Sequence, residues 1–183
     1  MEIIEIGAVR LPSAAAAPVE EFQSFVRPVV ERQLSPFCTS LTSIRQHDVD
    51  GADPFAVVFP RFVDWIGPEP FVLGSWAAYD LNQFRQDCAR HDLPLPTTFE
   101  DHVNVKQTFA RHFGIKPCGM AEALTKSGVE LTGTHHRAID DVRNIARLAQ
   151  FVLPAWERSR LKEATCSPLP QGERRAAISG GRR

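Results

Sequence analysis

At 183 residues, with 43% hydrophobic and 23% charged side chains, the chain is sized for one α/β domain with a core of its own. A formal charge of −1 excludes a passive binder that works through a global basic field, but not an enzyme whose metal ions draw the phosphate. The scattered cysteines Cys38, Cys88, Cys118 and Cys166 form no C-x-x-C pair, which argues against a zinc site or a disulfide framework.

The chain opens on a β-rich run, Glu2 to Val9, with no leader-like start, since Glu2 and Glu5 stand where a signal peptide would be positive. No stretch is apolar enough to span a membrane, and the thiols read as reduced, so the expected location is cytoplasmic. A turn from Pro12 to Pro18 and an alternating run, Glu21 to Val26, predict an antiparallel hairpin. Ser35-Pro36 and Asp53-Pro54 each carry a helix start signal, and Phe55, Val58, Phe59, Phe62, Val63 and Ile66 follow the second at helical spacing, with Pro60 inside. Phe71 to Trp76 is dense enough for a buried parallel strand. Helices are expected over 81–91, 102–113 and 120–126, with Asp48 and Asp50 in a polar turn. The longest helix is expected over 135–158, with Ile139, Val142, Ile145, Ala146, Ala149 and Val152 as its apolar stripe. Residues 1–162 form the expected domain. Residues 163–183 lack apolar periodicity, carry four arginines against Glu163 and Glu173, and read as a disordered basic tail, either solvated or in contact with nucleic acid.

Two segments carry chemistry. Ser75 to Phe84 places Asp80 at the carboxyl end of a buried strand where a helix begins, a position that suits either a ligand site or a helix cap. Gly133 to Ala146 places His136 and Asp141 five residues apart at the start of the long helix. Five helical residues overshoot one turn by roughly 140°, so both serve one site only if His136 sits on the entering loop. Acids at 140 and 141 also complement a helix dipole, which accounts for Asp140 and Asp141 but not for the whole string.

The string His136 to Asp141 resembles the third motif, H-x-A-x-x-D, of DnaQ-like 3′→5′ exonucleases of the DEDDh type, and Ser75 to Phe84 resembles their second. Glu2 to Val9, Leu34 to Cys38, Leu41 to Ile44 and His102 to Lys106 extend the likeness, in order, to the branch with the histone-mRNA exonuclease and the sporulation inhibitor proteins. The resemblance implies an RNase H-like mixed sheet flanked by helices. It implies hydrolysis of phosphodiesters at the single-stranded 3′ end of RNA or DNA, with two Mg²⁺ or Mn²⁺ ions held by carboxylates. Carried over by position, Asp80 and Asp141 become metal ligands and His136 the general base, an imidazole being suited to taking a proton near neutrality. Asp140 and His135 are expected in structural roles.

One departure stands out. The family's first motif is Asp-x-Glu on a central strand, between the strands of Ile3–Val9 and Phe71–Ser75, and no Asp-x-Glu occurs in these residues. Glu2 and Glu5, three apart on a strand, point to opposite faces and do not replace it. A sheet without that strand is expected to expose two edges. Met1 is therefore read as an internal methionine, and a form extended upstream is expected to be more stable and more active. The alternatives are a catalytically impaired nucleic-acid-binding or regulatory remnant, another segment that fills the gap, or a strand donated by a partner. A P-loop, G-x-G-x-x-G and G-x-S-x-G are all absent, which leaves other enzyme classes unsupported.

Overall fold

The computed structural model describes residues 1–166. Strands β1 (Glu5–Arg10) and β2 (Glu20–Phe25) pair antiparallel, with Glu5 opposite Phe25 and Arg10 opposite Glu20. Helices α1 (Pro36–Thr42), α2 (Gln46–Asp50) and α3 (Phe55–Ile66) follow, then β3 (Leu73–Ser75) and α4 (Tyr79–Arg90). A 3₁₀ turn (Thr97–Glu100) leads into β4 (His102–Asn104), which pairs parallel to β3. Helices α5 (Val105–Phe113), α6 (Met120–Lys126) and α7 (Ala138–Cys166) complete the described chain.

Local signals explain most of these elements. The Ser35 hydroxyl accepts a hydrogen bond from the Cys38 N–H at 3.1 Å, and Pro36 fills the first helical position of α1, where its missing N–H costs nothing. In α3, Phe55, Val58, Phe59 and Phe62 are buried and the helix continues through Pro60. Its cap position is Pro54 rather than Asp53, whose carboxylate instead pairs with Arg61 at 2.8 Å. Asp48 and Asp50 lie in α2, not in a turn, because Asp48 accepts from the Arg45 N–H at 2.8 Å and closes the first helical turn. The helix expected from 102 begins at Val105. Asn104 caps it, accepting from the Gln107 N–H at 3.0 Å, and residues 102–104 instead form β4 on β3. Of the expected basic tail, 163–166 continue α7, and 167–183 lie outside the described residues.

Two hydrophobic clusters result. The first joins Ile6 and Val26 of the hairpin to Phe55, Phe59, Phe62, Phe84 and Phe99. The second joins Val103, Val105 and Phe109 to Leu124, Leu148 and Val152. Among the described residues the sheets stay separate: β1 pairs only with β2, and β3 only with β4. Between them lies a groove of about 820 Å³ bordered by β1, β3, α3 and α7, and by Trp65, Trp76 and Trp156. It occupies the place where the sequence puts the centre of the sheet. No helix among the described residues is long and apolar enough to cross a membrane.

Candidate active site

The loop that enters α7 is built around carboxylates of the helix's own first turn. Asp140 accepts from the Thr134 N–H at 2.8 Å and pairs with Arg143 at 3.0 Å. A Cβ on Gly133, whose φ is +74°, would fall 2.4 Å from the Asp140 carboxyl carbon, so this turn requires glycine. Buried Asn144 ties the loop down from the next turn of α7, donating to the carbonyls of Thr132 and Asp140, each at 2.8 Å. The structural role expected of Asp140 is thus visible as a set of contacts.

His136 sits before the first regular turn, as the spacing requires, with φ +69°, a left-handed conformation that few non-glycine residues adopt. Its N–H donates to Asp141 Oδ1 at 3.2 Å, and the same oxygen lies 3.0 Å from His135 Nδ1. The two imidazoles stack with centroids 3.9 Å apart, and ligand atoms of His135, His136 and Asp141 all lie within 4.8 Å of one another. His135 thus contacts both His136 and Asp141.

Asp80 comes from α4 rather than α7. It lies in the first turn of α4, whose cap position is Ala78 without a side-chain cap, so capping does not account for the carboxyl. Both Asp80 and Asp141 border the groove. The Asp80 pKa is raised above the usual range, first by burial of its carboxyl and further by the Asp141 charge. Hydrogen bonds from its own N–H and from Ser75 offset only part of this. Two carboxylates far apart in sequence thus line one groove. Ser75 is itself held by His102 Nε2 at 2.8 Å.

Sequence reasoning missed the piece that fixes this loop to the sheet. Glu5, with a side chain only 3% exposed, takes Arg137 in a fork, Oε1 to Nη2 at 3.1 Å and Oε2 to Nε at 3.2 Å. The same carboxylate accepts from the Ala138 N–H at 2.9 Å, an otherwise unpaired donor of the helix start. The bond to Glu5 raises the Arg137 pKa further, and its guanidinium lies 5.1 Å from the Phe25 ring centroid. Two residues along, a Cβ on Gly7 would fall 2.5 Å from Ala138 C and Ile139 N, so the strand backbone rests directly on the helix terminus. The readable signal is a carboxylate at the head of the apolar run Ile6 to Val9. Glu2, by contrast, turns away and accepts from the N–H groups of Val29, Val30 and Glu31 at 2.9–3.0 Å.

Oxygen donors of this kind fit a hard divalent cation better than a soft one. Asp80 and Asp141 suit one such ion, whereas a pair of ions would need more carboxylates than these two supply.

Comparison with known proteins agrees with this architecture. The chain is 35% identical to ERI1 exoribonuclease 2 of Danio rerio over 175 residues, covering 83% of this chain and 31% of the relative. It is 30% identical to 3′-5′ exoribonuclease 1 of Homo sapiens, covering 88% of this chain and 49% of the relative. It thus spans half or less of the length of these curated relatives. Among solved structures, the nuclease domain of 3′hExo, a DEDDh family member bound to rAMP, superposes with a TM-score of 0.79 at 30% identity, covering 84% of this chain and 82% of that one. The model of the family described as "Exonuclease" matches residues 1–149, and this chain belongs to that family.

Proposed function

We propose that this chain forms the nuclease domain of a cytoplasmic 3′→5′ exonuclease that releases nucleotides from the single-stranded 3′ end of a nucleic acid, with RNA preferred over DNA. The observation that supports the reading is that Asp80 and Asp141 line one groove, with His136 bonded through its N–H to Asp141 on the loop that enters α7. The preference for RNA rests on the relatives, which are exoribonucleases by name.

Asp80 and Asp141 would hold Mg²⁺ or Mn²⁺, which supplies positive charge at the scissile phosphate. His136 takes the proton of the attacking water on its imidazole, and its exposure leaves the ring open to solvent and substrate. The hydrogen bond from the His136 N–H to Asp141 fixes the base relative to the carboxylate. Asp140, Asn144 and Gly133 hold the loop, and Glu5 with Arg137 holds the loop to the sheet.

The division of roles is tested by release of mononucleotides from a labelled oligonucleotide, with calorimetry of Mn²⁺ binding alongside. His136→Ala is expected to lower the rate by roughly 10²–10⁴-fold and leave Mn²⁺ binding largely intact. Asp141→Asn is expected to weaken both. Equal loss of metal binding in the two variants, or mononucleotide release unchanged in His136→Ala, overturns the assignment.

A further inference from the structure

The loop that enters α7 carries two imidazoles, and the chemistry proposed above uses only one of them. His136 is exposed, and His135 and Asp141 are half-buried, so solvent reaches all three. One ligand atom from each lies within 4.8 Å of the other two, the one such trio of metal-binding side chains among the described residues. His135 Nδ1 stands 3.0 Å from Asp141 Oδ1, and the His136 ring stacks on that of His135 with centroids 3.9 Å apart. Ligand atoms around a tetrahedral zinc ion, each about 2.0–2.1 Å from the metal, are about 3.3–3.4 Å from one another. The separations of 3.0 Å and at most 4.8 Å bracket that spacing, and rotation of the exposed His136 ring closes what remains.

The surroundings admit a cation. Both arginines of the segment are engaged by carboxylates: Arg137 by Glu5, and Arg143 by Glu21 and Asp140. Two guanidiniums against Glu5, Glu21, Asp140 and Asp141 leave the segment net negative, which offsets the bias of a helix start against positive charge. The trio is also held in place before any ion arrives. The His136 N–H donates to Asp141 at 3.2 Å, Asp140 accepts from the Thr134 N–H, and Gly133 leaves the room that Asp140 needs. Two imidazoles and one carboxylate are a donor set for borderline ions such as Zn²⁺, Ni²⁺ or Cu²⁺, whereas Mg²⁺ takes oxygen. Three protein ligands leave the fourth position of a tetrahedral ion open to solvent.

We propose that His135, His136 and Asp141 form a binding site for a borderline divalent transition ion, with Zn²⁺ as its probe. Its donors set it apart from the hard-cation pair described above: Asp80 is not among them, and His135 serves here alone. Because Asp141 belongs to both sets, a zinc ion and a hard cation weaken each other's binding. Neutral imidazole has one basic nitrogen, so an ion on the His136 ring also takes the lone pair that would accept the proton of water. Such an ion blocks hydrolysis instead of serving it. That last consequence rests on the nuclease reading, and the binding itself does not.

The test titrates the full chain with Zn²⁺ under reducing conditions at neutral pH, by calorimetry and by NMR of the histidine rings. One equivalent is expected to bind, with the ring signals of His135 and His136 shifting together while those of His47, His91, His102 and His112 stay in place. His135→Phe keeps a ring stacked on His136 but removes the nitrogens. Its zinc affinity is expected to fall about tenfold or more, with the zinc-free melting temperature unchanged. His135→Gln repeats the removal with a different side chain, and the ring shifts of the unaltered chain need no variant at all. Unmoved His135 and His136 rings, as when the ion sits on the thiols of Cys38 or Cys118, overturn the proposal. Zinc affinity unchanged in both variants, or no binding, overturns it too. Mg²⁺ at the same concentration moving both rings as far would show only the hard-cation site, and that also overturns the proposal. None of these measurements involves hydrolysis, so their failure and a failure of mononucleotide release are told apart.

Discussion

The cluster beneath the β1–β2 hairpin and the one around α5, α6 and α7 are built from different material. In the first, Phe99 is 1% exposed and meets Phe59, Phe62, Phe71 and Phe84 at centroid distances of 5.6–6.3 Å, three of these contacts edge-on. Such rings hold by shape as well as by area, each pair adding about 0.5–1.5 kcal/mol beyond its burial. In the second, Leu124, Leu148, Ala149 and Val152 pack mainly as aliphatic volume. The aromatic core positions α4 and hence Asp80, and the aliphatic core positions α7 and hence Asp141. The site therefore lies on a seam, and its geometry depends on how well the two halves are joined. Glu5 and Gly7, where β1 meets the start of α7, make one such joint.

The sharpest way to break the comparison is to empty one core and watch the other. Phe99→Ala is expected to cost about 3–5 kcal/mol, with amide protection falling in α3 and α4 before α6 and α7. Leu148→Ala, at about 2–5 kcal/mol, should reverse that order. If exchange shows equal loss throughout in both variants, the molecule has one cooperative core. A smaller effect is expected at the joint. Glu5→Gln keeps the shape but removes the charge facing Arg137, at a cost of about 2–3 kcal/mol by chemical denaturation. Pairing it with Arg137→Met should recover part of that loss, because the single change leaves a partly buried guanidinium without its partner.

The smallest effect lies outside both cores. Burial of the Glu2 carboxyl pushes its pKa up, but the N–H groups of Val29, Glu31 and Val30, with help from Arg90, outweigh burial and leave it lowered. A lowered folded pKa means stability that is present above the ordinary glutamate range and lost as pH falls through the folded value. Glu2→Gln is therefore expected to cost about 1 kcal/mol at pH 7 and almost nothing well below pH 4, by paired thermal melts. A gap that widens in acid would reverse the assignment.

The placement of Asp80 at the start of α4 and of His136 just ahead of α7 was legible because its signal is local: a carboxylate at a strand end, and a spacing that puts a histidine before a helix. The hairpin and the starts of α1 and α6 were legible for similar reasons. What escaped depends on residues distant in sequence. His102–Asn104 reads as the start of a helix until β3 is there to pair with it, although the Asn104 cap marks the true start of α5. The bond between Glu5 and Arg137 joins the two ends of the domain, and no window along the chain contains both residues. Gly7 looks like a weak point in a strand, and only the helix resting on its backbone explains it.

The three tryptophans of the chain, Trp65, Trp76 and Trp156, all border the same groove. Indole emission follows the polarity around the ring, so the protein carries its own optical gauge, and all of that gauge is set in one place. Its ultraviolet fluorescence reports the wetness of the space between the two sheets with no background from elsewhere in the fold. A blue shift would register water leaving that space, and quenching by iodide or acrylamide would measure how open it stands, without any label attached.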